Sequence, residues 1–215
     1  MTSTLIPAMK ELQYIAVSPE NPLKVVDVGV ARGSFMVELD KLVHRMNVFA
    51  VGIDPVPRDG AEDRYEKFYF ACADNVESWP KSPTKGLLYS DPEDDQASSL
   101  FPRGEVLKKD GKEVDVLNLN DIIEEDIPSG PIHFLKIDAE GKDLDIVKSL
   151  SPSTIKRIKY IALECKNGPP RFVGEANKVE CIKYMSSIGF AVYYEYESEN
   201  GTLLSDVVFV KGEEL

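Results

Sequence analysis

Two spacings of apolar residues take turns along this chain. Lys24–Val28, Asn47–Ile53, Lys67–Cys72, Pro131–Ile137 and Lys159–Leu163 are apolar runs of strand length, most of them too continuous to leave one face wet. Stretches with helical spacing lie among them. Pro7–Ala16 carries Met9, Leu12, Ile15 and Ala16 near one face, and Ser34–Met46 carries Phe35, Leu39, Leu42, Val43 and Met46. A short polar helical stretch is predicted over Ala61–Glu66, and another helix after Gly141. Ala176–Ser187 is the last helix, closed by Gly189 as a C-cap. Ala191–Tyr196 and Asp206–Lys211 read as strands joined by the polar, glycine-containing Glu197–Gly201, the pattern of a hairpin. Strand–helix alternation that ends in an antiparallel hairpin predicts an α/β fold with a doubly wound, Rossmann-like, mostly parallel sheet.

At 215 residues the chain fits a single domain over 1–215 that opens with a helical extension over 1–23. The long stretch 75–113, with Pro80, Pro83, Pro92 and Pro102, shows neither periodicity and is expected to be irregular; loops of that length are commonly lids, binding loops or disordered segments, and a substrate lid is the reading preferred here.

Composition narrows the setting. Hydrophobic residues make up 43% and charged residues 29%, as in ordinary globular proteins. No window approaches the roughly 18 apolar residues of a membrane span, and the first residues lack the basic start and apolar core of a signal peptide. A cytoplasmic protein with no membrane partner is expected. Cys72, Cys165 and Cys181 lack paired-cysteine metal spacing and read as reduced and structural. A net charge of −12, from 25 basic and 37 acidic residues, opposes a phosphate backbone, so nucleic acid is not an expected partner.

Three strand ends carry candidate chemistry. Asp27, Gly29, Val30, Ala31, Gly33 and Ser34 join the first strand to the first long helix, where glycine permits a tight turn and close approach of a ligand. Asp54, with Pro55, ends the second strand, where an acid can accept hydrogen bonds from both hydroxyls of a ribose. A dinucleotide loop needs three glycines for its pyrophosphate. This loop has two, and Asp27 suits a cationic group such as an amino-acid ammonium. S-adenosylmethionine, with ribose, adenine, ammonium and sulfonium, matches that combination.

The third strand end is Leu135-Lys136-Ile137-Asp138-Ala139-Glu140-Gly141, followed by Lys142-Asp143-Leu144. This stretch resembles the Leu-Lys-Ile-Asp-x-Glu-Gly-x-x-Leu hallmark of FkbM-type class I methyltransferases. Asp54-Pro55-Val56-Pro57 is similar to that family's Glu-Pro-x-Pro turn, and Ala73-Asp74 to the segment bordering the adenine. Ser98-Ser99-Leu100 resembles a serine-rich segment upstream, and Ile161–Cys165 the fifth strand with its terminal acid. In the first motif, Gly29-Val30-Ala31-Arg32-Gly33 departs from the family's Gly-Ala-Asn-x-Gly. The resemblance spans about residues 25–211 and implies a class I methyltransferase sheet that binds S-adenosyl-L-methionine. It implies cofactor contacts from Asp27, Gly29, Val30, Ala31, Gly33, Ser34, Asp54, Pro55, Ala73, Asp74 and Asp138, and O-methylation of a small-molecule or sugar hydroxyl.

Asp138 is the leading candidate for a general base or substrate-orienting acid, with Glu140 and Glu164 as further catalytic candidates. Each also has a structural reading, as a helix-start acid or a partner for a nearby cation. Lys136 lies mid-strand among apolar residues, where a charge is costly unless paired, and pairing with an acid would fix the site's geometry. No metal is expected: Asp138, Glu164 and Asn167 carry suitable oxygens, but no motif sets them apart from polar lining. A noncatalytic S-adenosylmethionine-binding module is the alternative, with a nucleotide-dependent oxidoreductase behind it. The acceptor's identity and the oligomeric state are left open.

Overall fold

The computed structural model describes residues 9–18, 20–44, 47–75, 84–90, 98–100, 111–168, 170, 172, 174–197 and 204–212. The apolar runs pair into one seven-stranded sheet. Strand β1 (Leu23–Val28) lies between β2 (Val48–Ile53) and β8 (Ile132–Ile137), both parallel to it. β3 (Lys67–Tyr69) extends the sheet beyond β2. On the far side come β9 (Ile158–Lys166), then β11 (Leu204–Lys211) and β10 (Phe190–Glu197). β11 runs antiparallel to both of its neighbours, as the hairpin reading requires.

Continuous burial of β1 and β8 explains their unbroken apolar sequences. Alternate residues pass to opposite faces. Val25 and Phe134 pack with Phe35, Met36 and Leu39 of helix α1 (Ser34–Asp40) and with Met9 and Leu12 of a helical turn over 9–12. Val26 and Leu135 pack on the other face with Ile123 of α2 (Leu119–Asp126), Ile146 of α3 (Asp143–Lys148) and Met185 of α5 (Lys178–Ser187). Helices therefore cover both faces. α4 (Pro152–Arg157) is capped by Ser151, whose hydroxyl accepts the N–H of Thr154, with proline opening the helix.

Several sequence boundaries are corrected. The single strand expected over Lys67–Cys72 breaks at Phe70 and Ala71, because its end leaves the large sheet for a second one. The first long helix stops at Asp40 instead of reaching Met46, which lies outside the described residues. The stretch 75–113 is not wholly irregular. β5 (Thr84–Ser90) and β6 (Ser98–Ser99) lie inside it, and β7 (Lys112–Leu117) begins in it. With β4 (Cys72–Ala73) these form a four-stranded sheet in the order β4-β7-β5-β6. No helix among the described residues is long and apolar enough to cross a membrane.

The chain leaves β1 toward β2 on one side and returns through β8 on the other. In an open parallel sheet, such a reversal leaves a crevice at the strands' carboxyl ends. That crevice is where the site forms.

Candidate functional site

The tip of β1 turns at Gly29, whose φ is +76°. A Cβ there would stand 1.8 Å from the backbone oxygen of Asp138, so only glycine lets the loop press against β8. The Gly29 N–H donates to Ile53 O at 2.9 Å, and the Asp138 N–H donates to Val28 O at 3.0 Å. These bonds lock the ends of β2, β1 and β8 together. Ala31 follows in the left-handed region at φ 49°, and its N–H donates to Asp54 Oδ2 at 2.9 Å. The other Asp54 oxygen accepts the N–H of Val56 at 2.7 Å, a turn that holds Pro55 over the β2 end.

Three carboxylates meet at the opposite end of the crevice. Asp138 follows β8, Glu140 stands two residues on with a φ of 50°, and Glu164 lies near the end of β9. One carboxylate oxygen from each lies within 4.8 Å of the others. Ser99 of β6 donates its hydroxyl to Glu140 O at 2.7 Å, so the small sheet grips this turn. Behind them Asp143 is buried and accepts the N–H groups of Gly141 and Glu164, each at 3.3 Å. Burial, reinforced by the charge of Asp138, pushes the Asp143 carboxyl well above the usual carboxylate range. Such a cluster can accept a proton or hold a cation by oxygen ligands.

Beneath the crevice lies a buried charge group. Asp27 and Lys136 face each other across the β1–β8 ladder, with Lys136 Nζ 3.0 Å from Asp27 Oδ1 and 3.7 Å from Asp138 Oδ2. The Tyr65 hydroxyl donates to Asp27 Oδ2 at 2.5 Å. Burial alone would lower the Lys136 pKa, but Asp27 and Asp138 outweigh it and raise it, so the ammonium stays charged.

The crevice encloses a cavity of about 310 Å³, within the range of small-ligand pockets. Of the residues expected to bind cofactor, Gly29, Ala31, Asp54, Pro55, Ala73 and Asp138 line it. The catalytic candidates Glu140 and Glu164 line it too. Five others do not. Asp27, read as a partner for a ligand's ammonium, is wholly enclosed and already faces the ammonium of Lys136. Val30 turns into the core beside α1, and Gly33 sits under Ala61 and Arg64. Ser34 is exposed on α1 away from the cavity, and Asp74 pairs with Lys142 at 3.0 Å. Asn167 turns away from the acids, its side-chain amide donating to Ser205 Oγ at 2.5 Å.

Val56, Cys72, Leu88 and Leu100 were missed, and they add apolar lining to the cavity. Leu88 and Leu100 come from the small sheet and its edge, which no periodicity announced. Burial pushes the Cys72 thiol up to about 12, helped by Asp54 and Asp74, which fits the reduced, structural reading of this cysteine. Trp79, in the stretch 75–113, and Arg171, which follows β9, lie outside the described residues.

A family model described as the methyltransferase FkbM domain matches residues 27–192. No curated protein matches the chain. Among solved structures, a protein from Clostridium thermocellum described as an rRNA methylase aligns with a TM-score of 0.50 at 10% identity, over 97% of this chain and 95% of its own. That likeness shows the fold: a Rossmann-like, largely parallel class I methyltransferase sheet. Magnesium protoporphyrin IX methyltransferase from Synechocystis PCC 6803, solved with bound S-adenosylmethionine, aligns with a TM-score of 0.49 at 12% identity, over 98% of this chain and 77% of its own.

Proposed function

The chain belongs to the FkbM methyltransferase family, and from that premise we propose that it methylates a hydroxyl of a small molecule or sugar. It is an S-adenosylmethionine-dependent methyltransferase. The observation that carries the hydroxyl reading is the gathering of Asp138, Glu140 and Glu164 in the lining of the cavity that Asp54 also lines.

The residues present fit the cofactor. Each oxygen of Asp54 accepts one backbone N–H, which leaves lone pairs directed at the cavity for two ribose hydroxyls. Val56, Ala71, Ala73, Leu88 and Leu100 form an apolar wall suited to a flat base. Gly29 lets the loop close against the backbone of Asp138, which holds the two strand tips together at the edge of the cavity. The cofactor supplies an electrophilic methyl group on a sulfonium.

Displacement at that methyl is in line, so the chain's main work is alignment of the acceptor. A hydroxyl nucleophile must also lose its proton. Asp138 takes that proton, its side chain 24% exposed and open to the cavity, while Glu140 and Glu164 orient the acceptor. The net charge of −12 argues against a nucleic acid acceptor. A panel of hydroxyl, amine and RNA acceptors, read by release of S-adenosylhomocysteine, tests this reading. Turnover confined to hydroxyl compounds supports it, whereas turnover on amines or RNA alone contradicts it. Silence across the panel, with cofactor still bound, favours a noncatalytic binding module.

A further inference from the structure

We propose that Lys136 is a positioning residue of the methyl-transfer site, fastening the glycine loop and Asp138 to each other from below. The inference rests on the methyltransferase reading above and adds a residue that does not itself line the cavity.

An ammonium has three N–H donors. Lys136 Nζ donates to Gly29 O at 2.5 Å and to Val28 O at 3.4 Å, and forms ion pairs with Asp27 Oδ1 at 3.0 Å and Asp138 Oδ2 at 3.7 Å. Three of these four partners line the cavity, Val28 and Gly29 at the tip of β1 and Asp138 at the tip of β8. The fourth, Asp27, is held from its other side by Tyr65. One side chain thus ties the loop at the β1 tip to the acid at the β8 tip.

Stability alone does not explain this arrangement. Taking a lysine and an aspartate out of water costs about as much as their pairing returns, and apolar residues of similar volume often serve as well. What an apolar pair lacks is the donor to Gly29 O and the hold on Asp138. Charge bookkeeping makes the two roles separable. One ammonium and two carboxylates leave a net −1, which Asp138 alone presents to the cavity. Replacing Asp27 and Lys136 together by neutral residues of like shape preserves that −1. The formal charge at the site is then unchanged.

The test compares wild type, Lys136→Met and Asp27→Asn/Lys136→Met by thermal melting and calorimetric titration. The probes are S-adenosylhomocysteine and sinefungin, which carries an amine where the cofactor carries its methyl. Lys136→Met leaves Asp27 buried without its cation and is the variant at risk of misfolding, so the double variant decides. It is expected to melt near wild type and to bind S-adenosylhomocysteine roughly tenfold more weakly, through loss of the hold on Gly29. The ratio of sinefungin to S-adenosylhomocysteine affinity is expected to fall at least about threefold, because Asp138 is no longer aimed at the transfer position. A ratio equal to wild type overturns the proposal, as does a double variant that does not fold. A wild-type protein that binds neither probe overturns the cofactor reading itself.

Discussion

Asp54 accepts the backbone N–H of Ala31 at 2.9 Å, so the acid at the tip of β2 is also the brace of the glycine loop. One carboxylate thereby shapes the loop and faces the cavity. Disturbing either residue is expected to be felt at the other.

Ala31 is the weak point of that brace. At φ 49° an L-residue pays about 1 kcal/mol or more, and asparagine tolerates the region better than alanine. The family carries asparagine in this place. Ala31→Asn is expected to raise the melting temperature by about 2–3 °C and to leave S-adenosylhomocysteine affinity equal or improved. A lowered melting temperature would show that the left-handed turn is not strained at alanine.

Asp138 separates binding from turnover. Asp138→Asn keeps the shape at the end of β8 and removes the proton acceptor. Turnover on a hydroxyl acceptor is expected to fall by about 10²–10⁴-fold, with S-adenosylhomocysteine affinity changed far less. A variant with near-normal turnover would exclude Asp138 as the base.

His133 gives the fold a pH dependence of known sign. Its Nδ1 accepts the N–H of Lys24 at 2.9 Å, and burial, with Lys159 and Lys24 nearby, lowers its pKa to about 4. The unfolded chain binds this proton near pH 6.5. Between those values the unfolded state holds more protons, so the neutral imidazole's contribution is complete above about pH 6.5 and is lost as pH falls toward 4. His133→Asn retains an acceptor for Lys24. Its melting temperature is expected to fall less than that of wild type between pH 7 and pH 5, and equal slopes would contradict this assignment.

What the sequence made legible follows from locality. β1, β2, β8 and β9 could be read because burial on both faces writes an unbroken apolar run, and the hairpin because the sequence between its strands is polar and contains glycine. α2 was missed although Leu119, Ile122 and Ile123 have helical spacing and Asn118 caps the helix by accepting the N–H of Asn120. With only eight residues, it offers that signal for barely two turns. β5 was illegible for a different reason. Gly86 interrupts it, and it is a strand because Thr84–Leu88 pair with Lys112–Val116 far along the chain.

The site divides the same way. Asp54, Asp138 and Glu164 were readable as acids near strand ends, and the strand order brings them to one crevice. Asp27 was misplaced because the sequence shows a strand-end acid but not the lysine across the ladder that already neutralises it. Leu88 and Leu100 join the cavity through the small sheet, a contact no local pattern encodes.

Calorimetric titration of S-adenosylhomocysteine into wild type and Asp54→Ala tests the central claim most directly. Single-site binding to wild type is expected, weakened roughly 30-fold or more in the variant as the carboxylate's hydrogen bonds to ribose and loop are lost. No binding to wild type, or equal affinity in the two proteins, would contradict the placement of the cofactor between β1 and β2.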